Sequence, residues 1–339
     1  MSVYYDKSKL LGYNRLFNFV IGARGIGKTY AFKSWAVTDY LSNGNRTWWV
    51  MRFRTETDKI TTGSRFFADI TDRFPDLSFK IESYIGYLKR DSDPESEKDW
   101  EPFISFQSLS ESAVKAISDP KCNKIVFDEF IPIPGVRHLK NEVEKFLEFY
   151  FTISRGRDVR AFFLANNVTI ASPYFTYFKI KPGNKEFTQY PEIVIQNARQ
   201  QAFTERMKLT RFGKLIDRTH YSDYAIDNKS LADSESFVDP KIPQRNREIF
   251  RLKSEYGVFV IYVCQPASLY IRKTTAPANG TVVYAVDLTL HDETTIALST
   301  QYKMVKTMIN RYYSEGLMIF SDVATKSEFL QSFQSILKI

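Results

Sequence analysis

Residues 15–29 read Arg15-Leu16-Phe17-Asn18-Phe19-Val20-Ile21-Gly22-Ala23-Arg24-Gly25-Ile26-Gly27-Lys28-Thr29. Arg15 to Ile21 is a short apolar run suited to a strand buried on both faces. Gly22 to Thr29 satisfies G-x-x-x-x-G-K-[ST], and a helical stretch follows through about Tyr40. The motif needs that order. Its glycines let the backbone curl so that the N–H groups of Gly22, Ala23, Arg24, Gly25, Ile26 and Gly27 face phosphate oxygens at the positive end of the following helix. Lys28 then reaches the β- and γ-phosphates of ATP, and the Thr29 hydroxyl holds magnesium (Mg2+). A chance match in a glycine-containing turn would lack the strand before it and the helix after it.

A second segment completes this chemistry. Ile125-Val126-Phe127-Asp128-Glu129 is a hydrophobic strand ending in two acids, with Asp128 suited to the magnesium shell and Glu129 to polarising water as general base. A surface pair capping the next element is the bland alternative, and it weakens once a phosphate loop is present. The second carboxylate favours hydrolysis over a P-loop phosphotransferase, which hands phosphate to an acceptor and needs no water-activating acid. A non-hydrolysing nucleotide-binding scaffold would not need all four of Lys28, Thr29, Asp128 and Glu129.

Two further strands, Thr47 to Met51 and Ala161 to Leu164, alternate with helical patterns, as expected of an α/β P-loop domain with a mainly parallel sheet. The second runs into Asn166 and Asn167, where parallel sheets place ligand-contacting groups; Asn166 reads as a γ-phosphate sensor or as part of a turn. Between strands, Val143, Phe146, Leu147, Tyr150 and Phe151 share one helical face, with Asn141 as N-cap. Arg155, Arg157 and Arg160 follow, as either a solvated basic corner or the source of an arginine finger. Arg52, Arg54, Lys59 and Arg65 read as exposed charge in preference to a polyanion path.

The 339 residues exceed one small core, and 43% hydrophobic with 25% charged content describes a chain able to bury sizeable cores. A net charge of +8 and a pI near 9.2 allow a nucleic-acid partner. Cys122 and Cys264 are too far apart in sequence to suggest a disulfide framework, and with three histidines no closely spaced Cys/His set exists for zinc. No continuous apolar run is long enough for a membrane span, and MSVYYDKSKL carries no signal-like run, so the chain is expected inside a cell. Residues 86–102 read as a polar excursion at a hairpin tip, and 227–243 as a domain boundary. The expected units are 1–204, a basic connector at 205–235, and 236–339. In the last, strands at Val258 to Val263, Ser268 to Arg272 and Thr281 to Val286 precede alternating helix, strand and helix, the pattern of an RNase H-like fold. A nuclease of that fold needs carboxylates converging to hold two ions. With no acid in Val258 to Val263, Asp287 and Asp322 are too few.

Taken together, GARGIGKT, VFDEF, NEVEKFLEF, SRGRDVR, FFLANN and TRFGKLID, in this order, resemble the DNA-encapsidation ATPases of small protein-primed, short-tailed bacteriophages. These are a branch of the terminase-like ASCE P-loop motors. The resemblance covers most of the chain and is most specific in the first 235 residues. It implies an ATPase domain, a connector and a vestigial nuclease domain without nuclease activity. It further implies a homomeric ring, usually a pentamer, that drives double-stranded DNA into a procapsid, docked on the portal through a packaging RNA in the host cytoplasm. Lys28 and Thr29 take the Walker A positions, and Asp128 and Glu129 the Walker B positions. Arg155 takes that of the arginine finger given to a neighbouring subunit, with Arg157 as alternative across a one-residue gap. After Phe130 the pattern lapses: Ile131-Pro132-Ile133-Pro134 stands where relatives carry basic residues facing DNA, with Arg137, His138 and Lys140 as possible substitutes.

Overall fold

The computed structural model describes residues 3–91, 100–111, 119–133, 136, 138–169, 171–183, 185–227, 236–300 and 302–333. Its contacts divide the chain into two compact units, one of residues 1–168 and 182–231, the other of 169–181 and 232–339.

In the first unit the chain runs through α1 (Ser8–Gly12), β1 (Phe17–Gly22), α2 (Lys28–Asn43), β2 (Arg46–Met51) and α3 (Arg54–Thr61). It continues through β3 (Leu77–Glu82), β4 (Ile85–Arg90), β5 (Glu101–Ser108), β6 (Cys122–Asp128), α4 (Glu142–Ser154) and β7 (Arg160–Asn166). The sheet is completed further along the chain by β8 (Phe187–Gln189) and β9 (Ile193–Ala198), in the order β3-β4-β5-β2-β6-β7-β1-β9-β8. From β5 to β9 every neighbouring pair is parallel, whereas β3, β4 and β8 join antiparallel at the edges.

Covering both faces explains the continuous apolar runs. Side chains alternate across a strand, so in β7 Phe162 meets Phe32 and Trp35 of α2, with ring centroids 5.1 and 5.2 Å apart. Phe163 points the other way and meets Phe146 of α4 at 4.7 Å. The expected amphipathic helix is thus α4, but Phe151, expected on its apolar face, is 71% exposed, and the cap differs. Asn141 precedes the first turn with φ of 53° and makes no side-chain capping bond; the Glu142 carboxylate instead accepts from the Leu139 N–H at 2.8 Å. The polar stretch after Gly86 is less of an excursion than its composition suggests. Residues 86–90 and 101–102 belong to β4 and β5, paired antiparallel, while Asp93 and Pro94 lie outside the described residues.

Three short helices follow within the first unit, α6 (Gln201–Leu209), α7 (Arg211–Leu215) and α8 (His220–Ala225), the first of which begins before the expected connector boundary at 205.

The second unit holds the short helix α5 (Pro173–Tyr177) and a mixed sheet. Its strands are β10 (Asn246–Ser254), β11 (Gly257–Cys264), β12 (Ser268–Thr274), β13 (Val283–Ala285), β14 (Ile296–Ala297) and β15 (Met318–Phe320), in the order β14-β13-β10-β11-β12-β15. An antiparallel meander, β10-β11-β12, is extended by parallel strands on both sides, with α9 (Tyr302–Ser314) and α10 (Val323–Phe333) following. The strand at 257–264 is therefore the second of the meander, not the first. β10 was hidden because charges interrupt it: Arg251 is buried, and its guanidinium donates to Glu248 at 2.7 Å and to the Ala276 carbonyl at 2.6 Å.

Candidate active site

β6, β7 and β1 are adjacent and parallel, so their carboxyl ends open on one edge, the place where such sheets bind ligands. The loop after β1 has Gly25 at φ 80° and Gly27 at φ 95°, values that glycine alone adopts readily. Ile26 between them is buried, and its carbonyl accepts from the Tyr5 N–H at 2.8 Å, which anchors the loop to the chain's first segment.

Lys28 opens α2 and is buried. Its ammonium donates to the carbonyls of Gly22 at 3.0 Å and Ala23 at 2.8 Å, and to Oδ1 of Asn166 at 3.2 Å. Burial pulls its pKa down to about 8 against the opposing pull of Asp128 and Glu129. The Thr29 hydroxyl donates to the Asp128 carboxylate at 3.1 Å. Burial, and then the charge of Glu129, push Asp128 up to about 6. A hydroxyl beside a crowded carboxylate is a hard-oxygen pair short of positive charge, which fits a magnesium site. No group of three or more His, Cys, Asp or Glu among the described residues forms a cage of its own; magnesium in nucleotide sites is usually held by one or two protein oxygens plus phosphates and water.

Glu129 turns out of β6 with φ of 59° and its side chain exposed, while its N–H donates to Asp128 Oδ1 at 3.2 Å. That backbone region is costly for a residue with a Cβ and persists only where surroundings hold it. Arg52, at the end of β2, supplies the hold. Its guanidinium donates to the Glu129 carbonyl at 3.0 Å and the Phe130 carbonyl at 2.7 Å. It also makes a two-pronged pair with Glu142, at 2.7 and 3.2 Å. Arg52 is 1% exposed, so reading it as surface charge or polyanion path was wrong, whereas Arg54, Lys59 and Arg65 are exposed as expected. The sequence hint was its place at the carboxyl end of a buried strand beside the site. His138 joins the same cluster, with Nδ1 3.0 Å from Glu142 and its ring 4% exposed, so it does not face DNA. Lys140 is exposed; Arg137 lies outside the described residues.

The two arginines after α4 part company. Arg157 donates to five backbone carbonyls, those of Ile153, Ser154, Asp119, Pro120 and Cys122. Arg155 sits at φ 45° past the last turn of α4, exposed, and its guanidinium makes no hydrogen bond or ion pair among the described residues.

In the second unit the acids considered for metal are occupied in capping. Asp287 accepts from the Thr289 N–H and hydroxyl, each at 2.8 Å. Asp322 accepts from the Thr325 N–H at 2.8 Å at the start of α10. Glu248, on β10, is tied to Arg251.

A family model of podovirus DNA encapsidation proteins (Gp16) matches residues 1–334. The DNA packaging protein of Bacillus phage phi29 is 34% identical over 244 residues, which cover 71% of this chain and 70% of that protein. A chain in the solved phi29 viral genome packaging motor assembly is similar over 99% of this chain and 100% of its own, with a TM-score of 0.72 at 27% identity. The crystal structure of the N-terminal domain of the phi29 DNA packaging ATPase is 31% identical, covers 59% of this chain and 98% of its own, and has a TM-score of 0.50.

Proposed function

Because the chain belongs to the podovirus DNA encapsidation protein family, we propose that the site described above is the ATPase centre of a motor that drives double-stranded DNA into a phage procapsid. The carrying observation is the convergence of Lys28, Thr29, Asp128, Glu129 and Asn166 at the ends of three neighbouring strands. Lys28 and the backbone N–H groups from Gly22 to Gly27 bind and orient the phosphates of ATP, and Asn166 fixes the Lys28 ammonium. Thr29 and Asp128 hold magnesium, which when bound neutralises charge on the β- and γ-phosphate oxygens. Exposed Glu129 accepts a proton from the attacking water, with its backbone held in place by Arg52.

Arg155 serves the neighbouring subunit of a homomeric ring. Its exposure supports this reading, as does the engagement of Arg157 elsewhere. A ring of five on the portal, contacting a packaging RNA, rests on the family resemblance. No described helix is long and apolar enough to cross a membrane, and the host cytoplasm with transient residence on the procapsid is the proposed location. The same resemblance supports the units 1–204, 205–235 and 236–339 as ATPase, connector and vestigial nuclease.

The test measures ATP hydrolysis with and without double-stranded DNA, then mixes Arg155→Ala with Glu129→Gln. Each variant alone is inactive. A mixed ring can pair an intact Glu129 with an intact Arg155 across one interface, so activity returns. No recovery in rings shown to be mixed would remove the assignment in trans.

A further inference from the structure

Two exposed surfaces of the first unit complement one another. Along α4, Glu144, Glu148 and Phe151 succeed each other at intervals of four and three residues, and at 3.6 residues per turn they form one longitudinal stripe, with Arg155 just past the end of the helix. All four are exposed, Phe151 to 71%. Glu144 and Glu148 make no ion pair among the described residues.

The second surface lies on α6 and α7. Leu209, Phe212 and Leu215 are 75%, 51% and 79% exposed. Arg206, Arg211 and Lys214 alternate with them along α6 and α7, also exposed and without an ion pair among the described residues. Exposed apolar residues rimmed by charge mark a protein interface. Phosphate contacts are made by polar and cationic groups, and two leucine side chains offer a nucleic-acid backbone nothing.

We propose that the α4 stripe of one subunit seats on the α6–α7 face of the next, apolar on apolar and acid on base. The inference rests on the reading that Arg155 acts in the neighbouring active site, and the spacing of the two surfaces agrees with it. Gly25 of the phosphate loop lies against Phe203 in the first turn of α6: a Cβ at Gly25 would stand 3.3 Å from the Phe203 ring. Leu209 is six residues farther on, about 9 Å along the helix. Phe151 and Glu148 lie about 6 and 10 Å back from Arg155 along α4. A subunit that presents Arg155 to a neighbour's phosphate loop carries Phe151 and Glu148 about 6 to 10 Å back along its helix, a span similar to that between the neighbour's Phe203 and Leu209. The two patches differ, so the contact is head-to-tail, the kind that closes rings.

The experiment uses the full chain at concentrations where sedimentation velocity shows self-association. Phe151→Cys and Leu209→Cys proteins are oxidised each alone and as a mixture; the native Cys122 and Cys264 are buried. A disulfide-linked dimer in the mixture alone is the expected result. In parallel, Glu148→Arg weakens association by about tenfold or more, and adding Arg211→Glu to the same chain restores it. Several results would overturn the proposal: association without the mixed cross-link, cross-linking of Phe151→Cys to itself, or no self-association up to the solubility limit. So would a Leu209→Ser, Leu215→Ser variant that associates normally but loses DNA binding. Recovered ATPase in the Arg155→Ala and Glu129→Gln mixture without the cross-link leaves the finger assignment standing and removes this interface. A cross-link without recovery does the reverse.

Discussion

Replacing Arg52 with Met removes the guanidinium that joins the end of β6 to the start of α4 while keeping most of the side-chain volume. It leaves Glu142, 1% exposed, without its guanidinium partner and with His138 alone beside it. Breaking a buried pair from one side costs about 3–5 kcal/mol. The state of Glu142 points the same way. Burial alone would raise its carboxyl, yet His138 and Arg52 outweigh burial and hold it at about 2 instead of the ordinary 4.5. That displacement corresponds to roughly 3 kcal/mol shared between His138 and Arg52, so Arg52→Met removes a part of it. The folded-state value is depressed, so the stabilisation is present above 4.5 and is lost as pH falls through about 2. The penalty of Arg52→Met is accordingly full at pH 7 and contracts as the solution is acidified, mostly between pH 4.5 and 2. All four tryptophans, Trp35, Trp48, Trp49 and Trp100, lie in the first unit, so urea unfolding followed by tryptophan fluorescence reports on the affected part of the full chain. Adding Glu142→Leu to Arg52→Met removes the stranded charge and recovers most of the stability. It does not restore ATP turnover, because the Glu129 and Phe130 carbonyls remain unheld. An Arg52→Met protein within about 1 kcal/mol of the parent at pH 7, or a penalty independent of pH, refutes the reasoning.

Glu129→Gln retains ATP binding in a filter assay and loses turnover by about 10²- to 10⁴-fold; undiminished hydrolysis would dismiss Glu129 as the base. Arg155→Ala leaves the urea midpoint unchanged and lowers ATPase activity by about 10³- to 10⁵-fold. Arg157→Ala, which strands several carbonyls, lowers stability by about 2 kcal/mol or more in the same fluorescence assay; the opposite pairing of effects would exchange the two assignments. Plasmid DNA incubated with the full chain and magnesium or manganese stays intact, and nicking that disappears with Asp287→Asn would show a working metal site in the second unit.

The phosphate loop and the Asp128-Glu129 pair were legible in the sequence because each is a local pattern whose flanking strand is part of the signal. The buried strands were legible for the same reason: a sheet covered on both faces forces continuous apolar runs such as Phe17 to Ile21. Residues whose role is set by distant partners were not. Arg52 looks like any charge after a strand until Glu142, ninety positions later, is brought against it. His138 looks like a surface cation near a lapsed motif until the same carboxylate claims it. β10 fails the apolar test because Arg251 and Glu248 satisfy each other, so a strand that carries a buried charge has no apolar signature in the sequence.

Arg155 and Arg157 make the limit plain. They stand two residues apart in one basic run, and local sequence offers no ground for preferring either. What separates them is the turn at Asp119 to Cys122, whose carbonyls meet the Arg157 guanidinium at 2.7 to 3.0 Å. Those contacts fix Arg157 as part of the scaffold, sealing the end of α4 against the strand-entry loop of β6. Arg155, placed in the left-handed region one step beyond the same helix, is turned outward by that arrangement. A helix whose first residue is clamped by Arg52, and whose end is sealed by Arg157, is a rigid mount. A guanidinium on such a mount that makes no hydrogen bond or ion pair among the described residues supports the proposed role of Arg155 as a finger supplied to a neighbour.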